Sequence, residues 1–297
     1  MKLSVQMCTF NRKGMLLKAL DALFHQTLPV DDYEVVLIDD GSSDGTRAAV
    51  EALQPPCKFT YAYQDNSGLA KGRNHGIRKA SGDVILFMDD DTVAHPDLLK
   101  EHVEWHEKYP RHVIRGWVNH TEDVTQQTRP KFTMADISTS FFWTSNVSVS
   151  RQALLDAGLF DEAFKEYGWE DLELGMRLKA LGLRKKNNNR AIVYHLKPHW
   201  KSQDVPRMVR QAQAKARTAV IFLKKHPRWR VKLATGIDPL RFGLHSLLTA
   251  GGWFEDACRR MVEKSEGELT GMQLMAAQQL VSCTYFSTVK QVLKSAQ

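Results

Sequence analysis

Over the first ninety residues the hydrophobic positions fall in short runs, with helically spaced stretches between them. Residues 3–10 (LSVQMCTF), 34–38 (EVVLI), 58–64 (KFTYAYQ) and 83–88 (DVILFM) have the length and apolar content of strands. The spacing between them predicts helices over 13–26, 46–53 and 69–80, the second ended by Pro55-Pro56. Strands alternating with helices imply βαβ units and a mostly parallel sheet. In such sheets ligands bind outside the carboxyl ends of the strands. The polar clusters fall at that edge: Thr9 and Asn11, Asp39 and Asp40, Asp65 and Asn66, Asp89 and Asp91.

The middle of the chain mixes both periods. Helices are predicted over 96–109 and 170–181, and strands over 113–119, 139–150 and 191–196. From Val205 the pattern turns helical. Val205, Met208, Val209, Ala212, Ala216, Ala219, Val220 and Leu223 form one apolar stripe with basic flanks, and weaker helical patterns follow near 240–264 and 271–294. A division near residue 200 is therefore expected, with an α/β domain over 1–200 (halves 1–91 and 92–200) and a helical region over 201–297.

The chain has 297 residues, 43% hydrophobic and 25% charged, an ordinary globular balance that excludes long disorder and low-complexity scaffolds. No apolar run approaches the roughly 18 residues of a membrane span. The first residues enter a strand pattern without a signal-peptide core, so a cytoplasmic protein is expected. Cys8, Cys57, Cys258 and Cys283 are scattered, which excludes a CxxC redox or zinc module and fits a reducing compartment.

Charge divides the chain unevenly. Residues 1–200 carry 25 Lys and Arg against 27 Asp and Glu, whereas 201–297 carry 16 against 7. Ten basic residues fall within 201–232, opposed by Asp204 alone. An anionic partner follows from this asymmetry, and peripheral contact with a membrane surface through 201–232 is the expectation. Nucleic acid is not expected, because Phe222 and Trp229 are nearly the only aromatics among the basic residues. The same stripe could bury against the first domain or a second copy of the chain.

Seven motifs occur in order: VQMCTFNR, VVLIDDGSSDGT, NSGLAKGRNHGI, LFMDDD, FFWTSNVSVSR, GLFDEAF and YGWEDLELGMRLKALG. Together they resemble the nucleotide-sugar glycosyltransferases of family 2, over about residues 3–200. The resemblance implies the GT-A fold, a Rossmann-like α/β arrangement, and inverting transfer from a nucleotide-sugar donor to a carbohydrate or lipid-linked hydroxyl. It implies that Asp91 ligates Mn²⁺ or Mg²⁺, with His195 as a further ligand, and that Asp89 contacts the ribose or metal-bound water. Hard divalent ions suit this task because they accept carboxylate and phosphate oxygens together. Asp90 belongs to the same nucleotide-contacting cluster and is expected to point away from the metal.

By the same resemblance Thr9, Asn11 and Asp40 hold base and ribose, Asp65 or Asn66 closes over the base, and Gly72 and Arg73 approach ribose and phosphate. A carboxylate at Asp40 can accept from uracil N3–H, which favours UDP. Inversion needs one base for the acceptor proton, and the resemblance places it at Asp171, with Glu170 binding acceptor or orienting the site. Acidic residues at a helix start also stabilise the helix dipole, the simpler reading of that pair. Trp143, Asn146 and Trp169 are candidate acceptor contacts. His102 and His106, four apart without the HExxH order, are expected on a solvated helix face. Two alternatives stay open: a sugar-phosphate nucleotidyltransferase, which would need a basic Gly-rich triphosphate loop that Asn11-Arg12-Lys13-Gly14 barely provides, and a catalytically silent docking protein on the same fold.

Overall fold

The structure is a computed structural model and describes residues 1–121, 140–196, 199–248, 252–265 and 267–295. It forms two compact units. The first comprises Met1–Lys165 and Glu170–Lys197, the second Glu166–Trp169 and Pro198–Gln297.

In the first unit the opening alternation runs β1 (Leu3–Thr9), α1 (Lys13–Phe24), β2 (Tyr33–Asp39), α2 (Thr46–Glu51), β3 (Lys58–Tyr63), α3 (Leu69–Lys79) and β4 (Val84–Met88). There follow β5 (Thr92–Ala94), α4 (Leu98–Lys108), β6 (His112–Thr121), β7 (Asn146–Ser150), α5 (Arg151–Asp156), α6 (Glu170–Ala180) and β8 (Arg184–Leu196). The described strands make one eight-stranded sheet, ordered β3-β2-β1-β4-β7-β6-β8-β5. Strands β3, β2, β1 and β4 are parallel, while β7 runs antiparallel to both β4 and β6.

The alternating pleat explains why the strands read as continuous apolar runs: both faces are covered. Leu3, Val5 and Met7, with Val35, Leu37 and Leu86, face a core closed by Leu16 and Leu20 of α1 and Leu98 and Leu99 of α4. Val36, Ile38, Ile85 and Phe87 point the other way, toward Ile77 of α3, Leu154 of α5 and Leu174 of α6. Helix α3 lies close on β1. A Cβ on Gly72 would stand 3.1 Å from Cys8 Sγ, so this glycine, expected near ribose and phosphate, is a buried packing position.

Strand β8 begins seven residues before the predicted run, because Arg184–Arg190 is polar and reads as loop. Its pairing along β6 supplies the order that side-chain pattern does not, with a register shift at Gly116/Trp117. At that shift Gly116 lies under the β7 and β8 side chains: a Cβ there would come 2.5 Å from the Ala191 carbonyl oxygen and collide with the Asn146 amide. Gly116→Ala is expected to lower stability by about 1–3 kcal/mol, as overpacking of a closed core does, seen as a lower denaturant midpoint with unchanged slope.

The second unit is helical: α7 (Val205–Lys225), α8 (Trp229–Thr235), α9 (Pro239–Leu248), α10 (Trp253–Glu263) and α11 (Gly271–Lys294). Pro206 suits the first turn of α7, where its missing N–H has no helical partner in any case. Val205, Ala212, Ala216, Ala219 and Val220 of the predicted stripe are buried, packing with Ala277, Leu280 and Val289 of α11. The stripe is thus a core face of this unit. No helix among the described residues is long and apolar enough to cross a membrane.

Candidate active site

The acidic triplet after β4 is splayed by a tight turn. The Asp89 carbonyl accepts from the Thr92 hydroxyl at 2.7 Å and the Thr92 N–H at 3.3 Å. The three carboxylates therefore take different neighbours. Asp90 turns inward and is buried, accepting from the Thr9 hydroxyl at 2.8 Å and from Arg12 at 3.1 Å. Burial pushes its carboxyl up to about 6, against the pull of Arg12 and Thr9. Asp90 and Thr9 are each other's partners in the sheet interior.

Asp91 lies between Arg12 and His195. Arg12 pairs with one oxygen, and His195 Nε2 is 3.3 Å from the other. Burial alone would raise this carboxyl, but the His195 hydrogen bond and the Arg12 charge outweigh it and hold it below its ordinary value. The same hydrogen bond raises His195, whose Nδ1 lies 3.1 Å from Nδ1 of His120. The two histidines are register partners on β6 and β8, which fixes the pair geometrically.

Asp89 accepts from the Ser145 hydroxyl and lies 3.9 Å from Arg73, and removal from water raises its carboxyl. Arg73 is the hub of the second cluster. Buried on α3 with its guanidinium over the Phe160 ring, it bonds Glu170 at 2.6 Å. Asp171 follows on the first turn of α6. Burial, then the adjacent Glu170 charge, push it up to about 7, with Arg73 opposing. A carboxylate held near neutrality is poised to take a proton.

The nucleoside candidates are at the expected edge, with protein partners of their own. Asp40 is buried and accepts from Gln64 Nε2 at 2.7 Å and from the N–H groups of Ser67 and Gly68, each at 3.0 Å. Its carboxylate therefore orders the β3–α3 loop, a task the sequence reading did not give it. Gly41, at φ +94°, lets that loop come close: a Cβ there would sit 2.9 Å from the Asn66 nitrogen. Asp65 and Asn66 are exposed beside it. Asn11, with φ 52°, accepts from the Ser43 N–H at 2.8 Å and so ties the first strand end to the second.

The acceptor candidates separate. Trp143 is half-buried with Arg115 over its ring. Asn146 is not available to a ligand: it is buried, donating to the carbonyls of Trp117 and Ala191 and pairing with His102 Nε2 at 2.9 Å. Trp169 belongs to the helical unit, stacked on Phe222 with its Nε1–H donated to the Lys215 carbonyl. His102 and His106 are a correction of a different kind. Both are buried and both bond the Ser148 hydroxyl, at 2.7 and 2.8 Å. The i, i+4 spacing faces β7 instead of solvent. Arg12, His120 and Ser145 were missed as site residues. The register of His120 with His195 was the signal for one of them, and it needs the sheet to be seen.

Among the described residues no group of three or more His, Cys, Asp or Glu side chains is arranged to hold a metal ion. Asp91 and His195 nonetheless fit as two ligands. Adjacent ligands of an octahedral ion with bonds of about 2.1 Å stand about 3.0 Å apart, close to the 3.3 Å seen between Asp91 Oδ1 and His195 Nε2. Residues 122–139 lie outside the described residues.

An α/β sheet with an acidic strand end of this kind is the architecture of nucleotide-binding transferases, and the sequence places it more closely. Residues 4–164 match glycosyl transferase family 2, and the chain belongs to that family. Validoxylamine A glucosyltransferase of Streptomyces hygroscopicus subsp. jinggangensis is 32% identical over 219 residues, covering 61% of this chain and 52% of that protein. The chain thus spans about half the length of that relative. Among solved structures, the mannosyltransferase PcManGT from Pyrobaculum calidifontis, in complex with GDP-Man and Mn²⁺, matches with a TM-score of 0.62 at 18% identity, over 97% of this chain and 86% of that one. S. aureus TarS 1–349 in complex with UDP matches with a TM-score of 0.57 at 19% identity, covering 99% and 92%. These likenesses establish the GT-A-like fold, with helices following the sheet. Family membership also sets transfer above the nucleotidyltransferase alternative.

Proposed function

We propose that the protein is an inverting, cation-dependent glycosyltransferase that moves a sugar from a nucleotide sugar, UDP-linked, to a hydroxyl of a carbohydrate or lipid-linked acceptor. The observation that carries this reading is the linked pair of clusters at one sheet edge. Asp91 lies between Arg12 and His195, and Arg73 joins Asp89 to the Glu170-Asp171 helix start. A donor site and a proton acceptor are thereby tied together by one buried guanidinium.

Asp91 and His195 would hold Mn²⁺ or Mg²⁺, whose bound charge stabilises the diphosphate as it leaves. Asp171 takes the acceptor hydroxyl proton. The oxygen lone pair then forms the new bond at the anomeric carbon, and the bond to the diphosphate breaks with its electrons on the leaving oxygen. No covalent enzyme intermediate is formed. Arg73 pairs with Glu170 and so holds the start of α6 in place, while the Glu170 charge raises the proton affinity of Asp171 against the opposing charge of Arg73. The nucleobase is assigned to uridine from the family resemblance and the exposed Asp65-Asn66 loop, since the Asp40 carboxylate is itself engaged by Gln64, Ser67 and Gly68. The structural relatives bind different nucleotides, UDP in one and GDP-Man in another, so the choice of nucleobase is tested directly.

Calorimetric titration of UDP, GDP and dTDP with and without Mn²⁺ is the test, on wild type and Asp91→Ala. UDP is expected to bind in a Mn²⁺-dependent way, and the substitution to remove that dependence, weakening binding by about tenfold or more as loss of a charge-assisted ligand does. Preference for another base would overturn the uridine assignment. Absence of nucleotide binding would overturn the donor site itself.

A further inference from the structure

Two short helices of the second unit carry a surface that its core does not use. On α8, Val231 and Thr235 are buried, while Trp229 and Leu233 lie on the opposite side. On α9, Phe242 and His245 pack on Phe286 of α11. Leu240, Leu244 and Leu247 face away from that contact, at i, i+4, i+7. At about 100° per residue these three leucines share an arc of about 60°, centred roughly opposite Phe242. The five outward residues are between 47% (Leu233) and 81% (Leu240) exposed. Single exposed leucines need no explanation, but a Trp–Leu pair on one face of α8 and three leucines on one face of α9 do.

The polar residues around them are almost all of one sign. Residues 224–241 hold six Lys and Arg against Asp238. On α8, Arg230 and Lys232 flank the Trp229–Leu233 pair at about 80° to either side of its centre, and Arg230 lies over the Trp229 ring. Lys224, Lys225 and Arg228, just before the helix, are also exposed.

We infer that α8 and α9 form an interfacial docking surface for an anionic lipid bilayer. Leucine side chains enter the headgroup boundary, Trp229 lies at the interface, and the flanking cations pair with lipid phosphates. Charge decides against a second copy of the chain as the occupant, since apposing two such faces would set like charges against each other. Of the 201–232 stretch expected to make this contact, the apolar stripe of α7 is buried against α11, and only its end, with Arg228, Trp229, Arg230 and Lys232, belongs to this surface, which the leucines of α9 extend. This inference is independent of the assignment of donor, metal or base.

The test is flotation of the full-length protein with vesicles of phosphatidylcholine alone, and of phosphatidylcholine containing about one-third phosphatidylglycerol. Binding is expected to the anionic vesicles only, and to fall as salt screens the charges. Leu240→Ser/Leu244→Ser/Leu247→Ser is expected to weaken it by about tenfold or more, each buried methylene being worth about 0.8 kcal/mol. Arg228→Glu/Arg230→Glu/Lys232→Glu should abolish it. All six side chains are exposed, so thermal unfolding should change little in either variant, which separates loss of docking from loss of fold. No binding to anionic vesicles, equal binding to neutral ones, or equal binding by both variants would overturn the inference. So would self-association in sedimentation velocity that the leucine variant dissolves, which would assign the face to a second copy.

Discussion

Asp171→Asn is expected to leave nucleotide binding unchanged and to cut the turnover of sugar transfer by about 10²–10⁴-fold, the range lost with a positioned general base. The substitution keeps the shape of the side chain and removes only its capacity to take a proton. The pH dependence gives an independent reading of the same group. With its carboxyl pushed up to about 7 by burial and by Glu170, Asp171 is increasingly protonated below neutrality. Transfer by the wild type should therefore rise with pH along a limb centred near 7. Stability moves the opposite way. A carboxyl whose folded value lies above its unfolded value binds more protons when folded, so stability declines between about pH 4 and the folded value. Asp171→Asn should flatten that decline. A variant with wild-type turnover, or an unchanged acidic limb, would remove Asp171 from the role of base. The calorimetric donor test would be untouched by that result.

The second large effect is structural. Arg73→Met is expected to lower stability by about 3–5 kcal/mol, because it leaves Glu170 charged, buried and without its 2.6 Å partner. It also removes the nearest cation from Asp89 and Asp171. Arg73→Met/Glu170→Gln should recover much of the loss, since removing both charges avoids the stranded one. Equilibrium denaturation of the two variants measures this. If the single variant is as stable as wild type, the pair does not hold α3 to α6.

These two residues also mark how far the sequence could be read. The acidic triplet, the Glu170-Asp171 helix start and His195 are local features, visible because a strand pattern or a helix pattern places them. β1 to β4 were legible as short runs of strand-forming residues, β2 and β4 buried along their whole length and β3 half-exposed at the sheet edge. What the sequence hides is partnership across long separations. Nothing near Arg73 announces Glu170, ninety-seven positions later. His102 and His106 look like a polar face until β7 brings Ser148 against them. Asp40 looks like a free ligand until the β3–α3 loop folds over it. The opening of β8 is polar because an ordered neighbour, β6, specifies its pairing. The division near residue 200 likewise hides that 166–169 lies with the helical unit.

The strand order has a bearing on when the site comes into being. Residue 91 ends its segment at β5, an edge strand whose sheet partner is β8, with Thr92 opposite His195. The first four parallel strands can associate once residue 88 has emerged during synthesis, using partners close by in the chain. The Asp91–His195 neighbourhood needs a segment about a hundred residues further on, and closing so long a loop is slow compared with forming local contacts. Asp91 is thus synthesised about a hundred residues ahead of the His195 that it meets. Through that interval the triplet waits with Arg12, encoded eighty residues before it, as its early counter-charge.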